Sequence, residues 1–390
     1  MRILIVSHSY IVDLNCEKLR QLAQLDPHNQ VMVVVPQTWR PGGVQNRLIQ
    51  APPWQDGNFQ RLPVANFSQN NQAALMFGWP IVKILRQFQP DIIQVEQGAK
   101  SLAYAQLITL SRLLRLRASH CLFTWWNLPY TNKFPIDWIE GYNLAHTDGL
   151  IAGNQDGVNI LRDHGYRRAA TVMPQLGVDE RLFKPQPQPE LRSQLKIAPG
   201  QFVVGFVGRF VAEKGILTLL DALAGLRDQD WILLLLGRGE LAATIRRKAA
   251  TLAMGDRLRW VETVPHDQVP DYINMMNCLV LPSETTQQVK TLTAVGWKEQ
   301  FGHVLIEAMA CAVPVIGSDS GEIPHVIGEA GLIFPEGNGE ELGDRLRTLI
   351  TSPDTAKTLG EKGYQRAMTH YTNRALAEKQ LAFYRQIRGD

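Results

Sequence analysis

Residues 202–216 read FVVGFVGRFVAEKGI, and this stretch decides the fold. An apolar run rich in β-branched residues, Phe202 to Gly208, leads directly into a turn that carries two cations, Arg209 and Lys214. An apolar run, a turn and a following amphipathic segment predict a strand that feeds a helix in a parallel sheet. The turn then lies at the carboxyl end of the strand, where such sheets bind their ligands.

The same alternation of short apolar runs and longer amphipathic segments extends in both directions along the chain. It occurs twice, which predicts an α/β protein made of two Rossmann-like, doubly wound domains that face each other across a cleft. The candidate strands are 2–7, 31–36, 91–95, 121–124, 149–152 and 171–173 in the first half, and 202–208, 231–236, 258–261, 278–281, 313–317 and 332–334 in the second.

The alternating prolines of residues 183–189, FKPQPQP, disfavour helix and mark the best domain boundary. We therefore expect an N-terminal domain at 1–182 and a C-terminal domain at 183–372. A helical segment at about 373–390 is expected to pack back on the first domain.

Composition excludes several classes of function. The net charge of the 390 residues is +3, and no block of like charge or basic stripe indicates a nucleic-acid groove. The cysteines are scattered without CxxC spacing, which favours a reducing compartment without disulfides or a zinc site. The N-terminal apolar stretch is too short for a secretory signal, so we expect a cytoplasmic protein.

A second group of functional residues lies at 297–310, WKEQFGHVLIEAMA. A helix is expected from about His303, with Phe301 and Gly302 forming the turn before it. Its first-turn amides and its dipole favour an anion. Glu299 in the preceding loop is suited to hold sugar hydroxyls, and Glu307 to accept a hydrogen bond from a ribose hydroxyl.

Together these residues resemble the donor site of retaining family-4 glycosyltransferases of the GT-B fold, the glycosyl transferases group 1. The resemblance rests on Glu299 and Glu307, separated by seven residues, and on the glycine and cation pattern of 205–215. Residues 307–316, 320–324 and 175–183 match as well, whereas the first half matches more loosely, through 90–93 and 152–154.

The resemblance implies that the domain at 1–182 binds the acceptor and that the domain at 183–372 binds the nucleotide sugar. It also implies a role for each matching residue. Arg209 and Lys214 would bind the donor pyrophosphate, Glu299 the transferred sugar, and Glu307 the ribose. Catalytic roles are thus expected for Arg209, Lys214 and Glu299. Donor contacts are expected at Gly208, Val264, Phe301, Gly302, His303, Val304, Leu305 and Glu307.

The implied reaction transfers a sugar from a UDP- or GDP-sugar to a glycan, a lipid-linked or a small-molecule acceptor, with retention of the anomeric configuration. No DxD pair has a convincing metal-binding context, so we expect neither metal nor cofactor. An alternative role for Glu299 is that of a nucleophile that forms a glycosyl-enzyme.

The first half departs from the family pattern at two places. Where many members have a histidine, residues 121–124 are followed by Trp125, Trp126 and Asn127, and the first strand leads to His8 rather than to a glycine pair. His8, Trp126 and Asn127 are therefore candidates for the acceptor side. The tryptophans either stack on an acceptor or fill the core, and the core interpretation is favoured.

Two further segments invite a functional interpretation. Residues 283–296 form a long segment before Trp297, which predicts a lid over the donor sugar. Residues 100–117 combine leucines with three late arginines, which fits either a core helix or a helix on an anionic bilayer that presents a lipid-linked acceptor. Peripheral contact with the inner face of the membrane is thus an open alternative.

Two other functions compete with glycosyl transfer. A dinucleotide-dependent oxidoreductase would need a GxGxxG turn, and neither Gly205, Gly208 and Gly215 nor the group Gly337, Gly339 and Gly343 has that spacing. A noncatalytic nucleotide-sugar-binding protein would explain the missing histidine, but the intact donor pattern argues against it.

Overall fold

The chain folds into two compact units. In the computed structural model, which describes residues 1–40, 47–290 and 294–389, unit 1 comprises Met1–Gly177 with Asn373–Asp390, and unit 2 comprises Val178–Thr372. The chain thus passes from one unit to the other a few residues before the position that the prolines indicate.

The strands and helices alternate along the chain. The strands are β1 (Arg2–Val6), β2 (Gln30–Pro36), β3 (Thr38–Trp39), β4 (Ile49–Gln50), β5 (Trp54–Asp56), β6 (Phe59–Val64), β7 (Asn66–Phe67), β8 (Met76–Phe77), β9 (Ile92–Val95), β10 (Ser119–Thr124), β11 (Gly149–Ala152), β12 (Ala169–Val172), β13 (Phe202–Val207), β14 (Trp231–Leu236), β15 (Leu258–Val261), β16 (Cys278–Leu281), β17 (Thr286–Lys290), β18 (Val295–Trp297), β19 (Val315–Ser318) and β20 (Gly331–Phe334). The helices are α1 (Glu17–Gln24), α2 (Pro80–Phe88), α3 (Leu102–Leu113), α4 (Ile136–Ala145), α5 (Gln155–Asp163), α6 (Pro189–Gln194), α7 (Ile216–Ala224), α8 (Ala242–Thr251), α9 (Val269–Ile273), α10 (His303–Ala310), α11 (Ile323–Ile327), α12 (Gly339–Thr351), α13 (Pro353–His370) and α14 (Asn373–Arg388).

Unit 1 is built on one sheet with the strand order β12-β11-β10-β9-β1-β2-β6-β5. All neighbours pair in parallel except β5 and β6, which form an antiparallel hairpin at one edge. The central strands are apolar on both faces because helices cover both sides of a parallel sheet. The C-terminal helix α14 packs against α1 within this unit.

The edge of this sheet formed by β5 and β6 was missed by the sequence analysis. Strand β6 contains Arg61, which is buried and pairs with Asp13 at 2.9 Å, so a charge interrupts the apolar run. It also contains Pro63, which lies beyond the part of β6 that pairs with β5. Proline and buried charge are both atypical of a strand, which explains the omission.

Unit 2 is built on a second parallel sheet, with the strand order β15-β14-β13-β16-β19-β20. The order reverses between β13 and β16, since the strands that follow β13 first extend the sheet to one side and later to the other. This reversal is the topological switch point, and the loops at its carboxyl edge are the expected ligand site of such a sheet.

The 283–296 segment differs from the long loop expected there. Strand β17 lies within it, and β18 begins within it and ends at Trp297; the two strands pair as an antiparallel hairpin. The run TQQVK of β17 has only one large apolar residue, so its pattern does not predict a strand. Thr291, Leu292 and Thr293, which belong to the predicted lid, lie outside the described residues.

The 100–117 segment is a helix with both a buried and an exposed face. In α3, Ala103, Tyr104, Leu107 and Ile108 are buried in the core of unit 1, as the core interpretation expects. Leu113, however, has 74% of its surface exposed. Across the residues that the structure describes, no helix is both long and apolar enough to cross a bilayer.

Candidate active site

The loops that follow β13 and β16 meet at the switch point of unit 2. Gly215 has φ +61°, and a Cβ atom placed on it would lie 1.7 Å from the carbonyl oxygen of Pro282. Only glycine permits this combination of a left-handed conformation and a close backbone approach. Lys214, the neighbour of Gly215, is thereby held beside the loop that begins with Ser283.

Lys214 and Glu299 form the centre of the site, although 85 positions separate them in the sequence. The ammonium group of Lys214 pairs with Oε2 of Glu299, and both side chains are largely buried. Oε2 also accepts a hydrogen bond of 2.7 Å from the hydroxyl of Ser283. The same ammonium group lies 5.1 Å from the ring centroid of Trp297, so an aromatic face covers the cation.

The backbone of Glu299 is held by the loop that follows β19. Its carbonyl oxygen accepts a hydrogen bond of 3.2 Å from the amide of Glu322. Gly321 has φ +57°, and a Cβ atom on it would lie 1.9 Å from that same carbonyl oxygen. Because both its backbone and its carboxylate are bonded, Glu299 has a defined orientation with only 6% of its surface exposed.

Helix α10 begins where the sequence analysis expects it. Gly302 precedes it in the left-handed conformation, with φ +82°. The side chain of Phe301 is buried and contacts the ring of Tyr371 at 5.7 Å, and the side chain of Leu305 is fully buried. For these two residues, therefore, only the main chain is placed to contact a ligand.

Glu307 lies in the second turn of α10 among buried apolar residues. Desolvation raises the pKa of its carboxyl group from 4.5 to about 7. A carboxyl group in such surroundings is partly protonated at neutral pH. Perturbed pKa values of this kind are typical of functional sites. Glu307 is partly exposed and is therefore a candidate functional residue.

The remaining predicted residues of unit 2 lie on separate loops at the same edge of the sheet. Gly208 and the exposed Arg209 follow β13, and Val264 follows β15. The sheet brings these loops to one edge, whereas Lys214 and Glu299 are joined by a direct contact. His303 and Val304, both partly exposed, form the first turn of α10.

Sequence reasoning missed two features of this edge. A Cβ atom on Gly237 would lie 1.9 Å from the carbonyl oxygen of Gly208, and one on Gly239 would lie 2.3 Å from that of Phe210. The glycine pair after β14 therefore lets two loops touch through their backbones. The other missed residue is Ser283, which a search for polar residues at the carboxyl ends of strands would have found.

His8 follows β1 at the carboxyl edge of the unit 1 sheet. Burial lowers the pKa of its imidazole from 6.5 to about 4, so the ring is neutral at pH 7. The ring lies 4.9 Å from that of Trp39. Within the described part of the chain, Nδ1 of His8 is buried without a hydrogen-bonding partner.

Trp126 and Asn127 follow β10 at that same edge. The indole N–H of Trp126 donates to the carbonyl oxygen of Leu128, and the ammonium group of Lys100 lies 4.6 Å from its ring. Asn127 is buried. Trp125, by contrast, packs against the hydrophobic core and against Gly153, as the core interpretation expects for a tryptophan here.

The four cysteines are buried and free, as expected of small core residues. In the described ranges, no group of three or more His, Cys, Asp or Glu side chains is arranged to hold a metal ion. Independence from metal stays a prediction.

Residues 187–366 match the family model described as glycosyl transferases group 1. This match lies within the C-terminal unit and covers less than half of the chain. The matched residues include the switch point, the Lys214–Glu299 pair and α10, and the match confirms the family resemblance drawn from the sequence.

Curated sequence relatives match more than half of the chain. The alpha-maltose-1-phosphate synthase of Mycolicibacterium smegmatis is 24% identical over 272 residues, which cover 64% of this chain and 66% of the relative. The chain spans between about half and two thirds of the length of the curated relatives it matches first.

Solved structures show that the fold of the whole chain is GT-B. The sucrose-phosphate synthase of Thermosynechococcus elongatus is 20% identical and has a TM-score of 0.71, with 100% of this chain and 99% of that chain covered. Anabaena HepE, solved in complex with UDP and glucose, is 19% identical and has a TM-score of 0.68, with 98% of each chain covered. The predicted fold of two Rossmann-like domains is confirmed.

Proposed function

We propose that this protein is a retaining glycosyltransferase that moves a sugar from a nucleotide-diphosphate sugar, UDP- or GDP-linked, to a glycan, lipid-linked or small-molecule acceptor. The observation that carries the proposal is the Lys214–Glu299 pair at the switch point of a group 1 transferase domain. We place the donor at the carboxyl edge of unit 2.

In this reaction the bond between the anomeric carbon and the diphosphate breaks, and negative charge develops on the leaving group. Fixed cations stabilise such charge without reorganisation. Arg209 and Lys214 are two cations at this edge, and the first turn of α10 adds the positive end of a helix dipole. No metal or cofactor is part of the proposed reaction.

Glu299 is proposed to orient the transferred sugar. Its carboxylate is fixed by Ser283 and Lys214, and a fixed acceptor is suited to sugar hydroxyls. A diphosphate that binds Lys214 would leave Glu299 with one cationic partner fewer, so donor binding and carboxylate orientation are coupled. The alternative role of Glu299 is that of a nucleophile. Trapping of a covalent glycosyl-enzyme would distinguish this role, because an orienting carboxylate forms no such intermediate.

Glu307 is proposed to bind the ribose of the donor. Burial raises the pKa of Glu307, so its ionised form would be stabilised by added hydrogen-bond donors. Ribose hydroxyls would supply such donors. Val264 lies on a loop of the same edge, and we place the base there.

We assign the acceptor to unit 1, where His8, Trp126 and Asn127 lie at the carboxyl edge of the sheet. Trp126 and Asn127 carry no side-chain group that accepts a proton at neutral pH. His8 is neutral at that pH, but its pKa of about 4 makes it a weak base. The leaving phosphate is the proposed acceptor of the proton, which agrees with retention of configuration. We expect the protein to work in the cytoplasm.

A panel of radiolabelled UDP-, GDP- and ADP-sugars, with and without glycan and lipid extracts, tests the proposal. UDP-glucose is the first donor to try, because related folds were solved with UDP and glucose. Transfer with an α-linked product from an α-linked donor is expected. Inversion would refute the mechanism, and absence of both hydrolysis and transfer would refute the activity.

The second candidate is a noncatalytic nucleotide-sugar-binding protein. The observation in its favour is that Trp125, Trp126 and Asn127 occupy the place where many family members have histidine. Tight donor binding without turnover in the same panel would support this candidate over the first.

A further inference from the structure

One face of unit 1 is unusually rich in cations. Residues 97–136 contain five Lys or Arg residues and no Asp or Glu, although the whole chain carries 40 of the former and 37 of the latter. Four of the five, Arg112, Arg115, Arg117 and Lys133, are exposed. The segment covers α3, β10 and the loop that leads to α4.

The neighbouring carboxylates do little to offset this charge. Glu140 is buried, and its oxygens accept hydrogen bonds from Tyr130, from Asn132 at 2.8 Å and from His164 at 2.9 Å. Asp137 is the exposed acid next to the segment. The solvent-facing charge of this face is therefore clearly positive.

The same face exposes large apolar side chains. Leu113 is 74% exposed, Phe134 81% and Trp138 65%. The ring of Trp138 stacks on that of Tyr142 with 6.0 Å between centroids, which holds it outward on α4. Exposed aromatic residues grouped with cations mark an interaction site more often than isolated apolar residues do.

The cations and the apolar side chains lie along two helices, α3 and α4, that pack side by side. Arg112 lies beside the last turn of α4, Trp138 stacks on Tyr142 in the middle of that helix, and Lys133 and Phe134 precede its first turn. The hydroxyl groups of Thr109 on α3 and Tyr142 on α4 lie 2.9 Å apart, and Arg112 contacts His146 just after α4. We call the set Arg112, Leu113, Arg115, Lys133, Phe134 and Trp138 the basic–aromatic surface.

We propose that the basic–aromatic surface binds a bilayer that contains anionic phospholipids. Tryptophan and phenylalanine favour the headgroup boundary, and basic residues next to them are attracted by anionic lipid. The protruding aromatic side chains and the excess of cations fit this occupant. The inference goes beyond glycosyl transfer, which needs no membrane.

The surface also bears on the acceptor, and this step rests on the proposed function. Phe134 and Trp138 follow Trp126 and Asn127 within one short stretch of chain. A bilayer bound at the former pair would bring its lipids next to the acceptor-side residues. A lipid-linked acceptor is therefore the class we favour.

Cosedimentation of the full chain with vesicles tests the binding itself. We expect binding to vesicles of phosphatidylcholine mixed with phosphatidylglycerol at low salt, weaker binding at high salt, and little binding to phosphatidylcholine alone. Absence of binding to the mixed vesicles at low salt would overturn the proposal. The measurement needs no donor or acceptor, so its failure is distinct from failure of the proposed function.

Paired variants test the apolar half of the surface. Replacing Phe134 and Trp138 together by Ala should lower partition to mixed vesicles roughly tenfold. Leu113→Ala should also weaken partition, whereas Leu14→Ala, at a leucine that is 64% exposed in another part of unit 1, should not. Equal effects of the two leucine variants would contradict the placement of the surface.

A second pair of variants tests the cations of the basic–aromatic surface. Arg112→Gln with Arg115→Gln should weaken partition about fivefold per cation removed. Arg227→Gln with Arg247→Gln changes the net charge equally in unit 2 and should leave partition unchanged. Unchanged melting temperatures confirm that the variants fold.

Sedimentation equilibrium without lipid separates the bilayer from a second copy of the chain. If the wild type self-associates and the Phe134 and Trp138 variant is monomeric, the surface is a contact between copies and the proposal is wrong. A wild-type chain whose association is unaffected by these substitutions supports the bilayer.

Discussion

Replacing Ser283 by Ala tests how the site controls its central carboxylate. The hydroxyl of Ser283 donates to Oε2 of Glu299 at 2.7 Å, and both residues are buried. A hydrogen bond to a charged group contributes about 1.5–3 kcal/mol. Because Lys214 still pairs with the carboxylate, we expect the lower part of that range, which corresponds to a loss of roughly tenfold in turnover.

The assay compares kcat and KM for transfer with the affinity for the nucleoside diphosphate alone. If Glu299 holds the sugar, Ser283→Ala should weaken binding of the nucleotide sugar and leave binding of the nucleoside diphosphate nearly unchanged. A variant that only destabilised the fold would change both affinities alike.

Ser318→Ala is the matched control. Ser318 is as deeply buried as Ser283, but its hydroxyl donates to the main-chain oxygen of Ser283 at 2.6 Å and not to the carboxylate. We expect a similar loss of stability and a much smaller loss of turnover. Equal losses of turnover in the two variants would refute a special role for Ser283.

Three further predictions concern the same edge. Burial raises the pKa of Glu307 to about 7, so donor affinity should fall as the pH drops through 7, and Glu307→Gln should remove this dependence. Because the pKa of this carboxyl is higher in the folded chain than in the unfolded chain, the wild type should also lose stability as the pH rises from about 4.5 to 7, and melting curves of Glu307→Gln should lack this loss. Gly200→Ala should lower the free energy of unfolding, measured in urea, by roughly 1 kcal/mol, because Gly200 has a positive φ. Gly215→Ala should lower it by well over that amount, because at Gly215 the added Cβ atom would also lie against a main-chain oxygen. Lys214→Ala leaves the buried carboxylate of Glu299 without its cation and should lower the free energy of unfolding by about 3–5 kcal/mol. The double variant Lys214→Ala with Glu299→Gln should regain the stability but not the activity. A melting temperature that stays low in the double variant would contradict the pairing.

The parallel sheets could be predicted from sequence because burial on both faces leaves short, uninterrupted apolar runs. The runs 231–236 and 258–261 coincide with β14 and β15. The sequence did not predict strands whose apolar pattern is interrupted by a residue that depends on a distant partner. Strand β6 carries the buried Arg61, which a salt bridge with Asp13 compensates, and no local pattern reveals that partner.

The candidate site was predictable as a set of residues but not as a set of contacts. The glycines, cations and carboxylates near β13 and α10 indicated a phosphate and sugar site. The pairing of Lys214 with Glu299 and the role of Ser283 depend on how three loops meet in space. Those contacts follow from the switch point and from close backbone approaches at Gly215 and Gly321, which sequence spacing does not show.

The hairpin of β17 and β18 bears on how the sequence of such a protein can evolve. Ser283 and Glu299 flank it and are joined across its base by a hydrogen bond, so the intervening chain is a closed insertion. The entropy of closing a loop grows slowly with its length, by about 0.6 kcal/mol per doubling. Insertions and deletions in the hairpin can therefore change the surroundings of a bound sugar while the hydrogen bond between Ser283 and Glu299 is kept. The hairpin is thus a suitable place for changes of donor specificity.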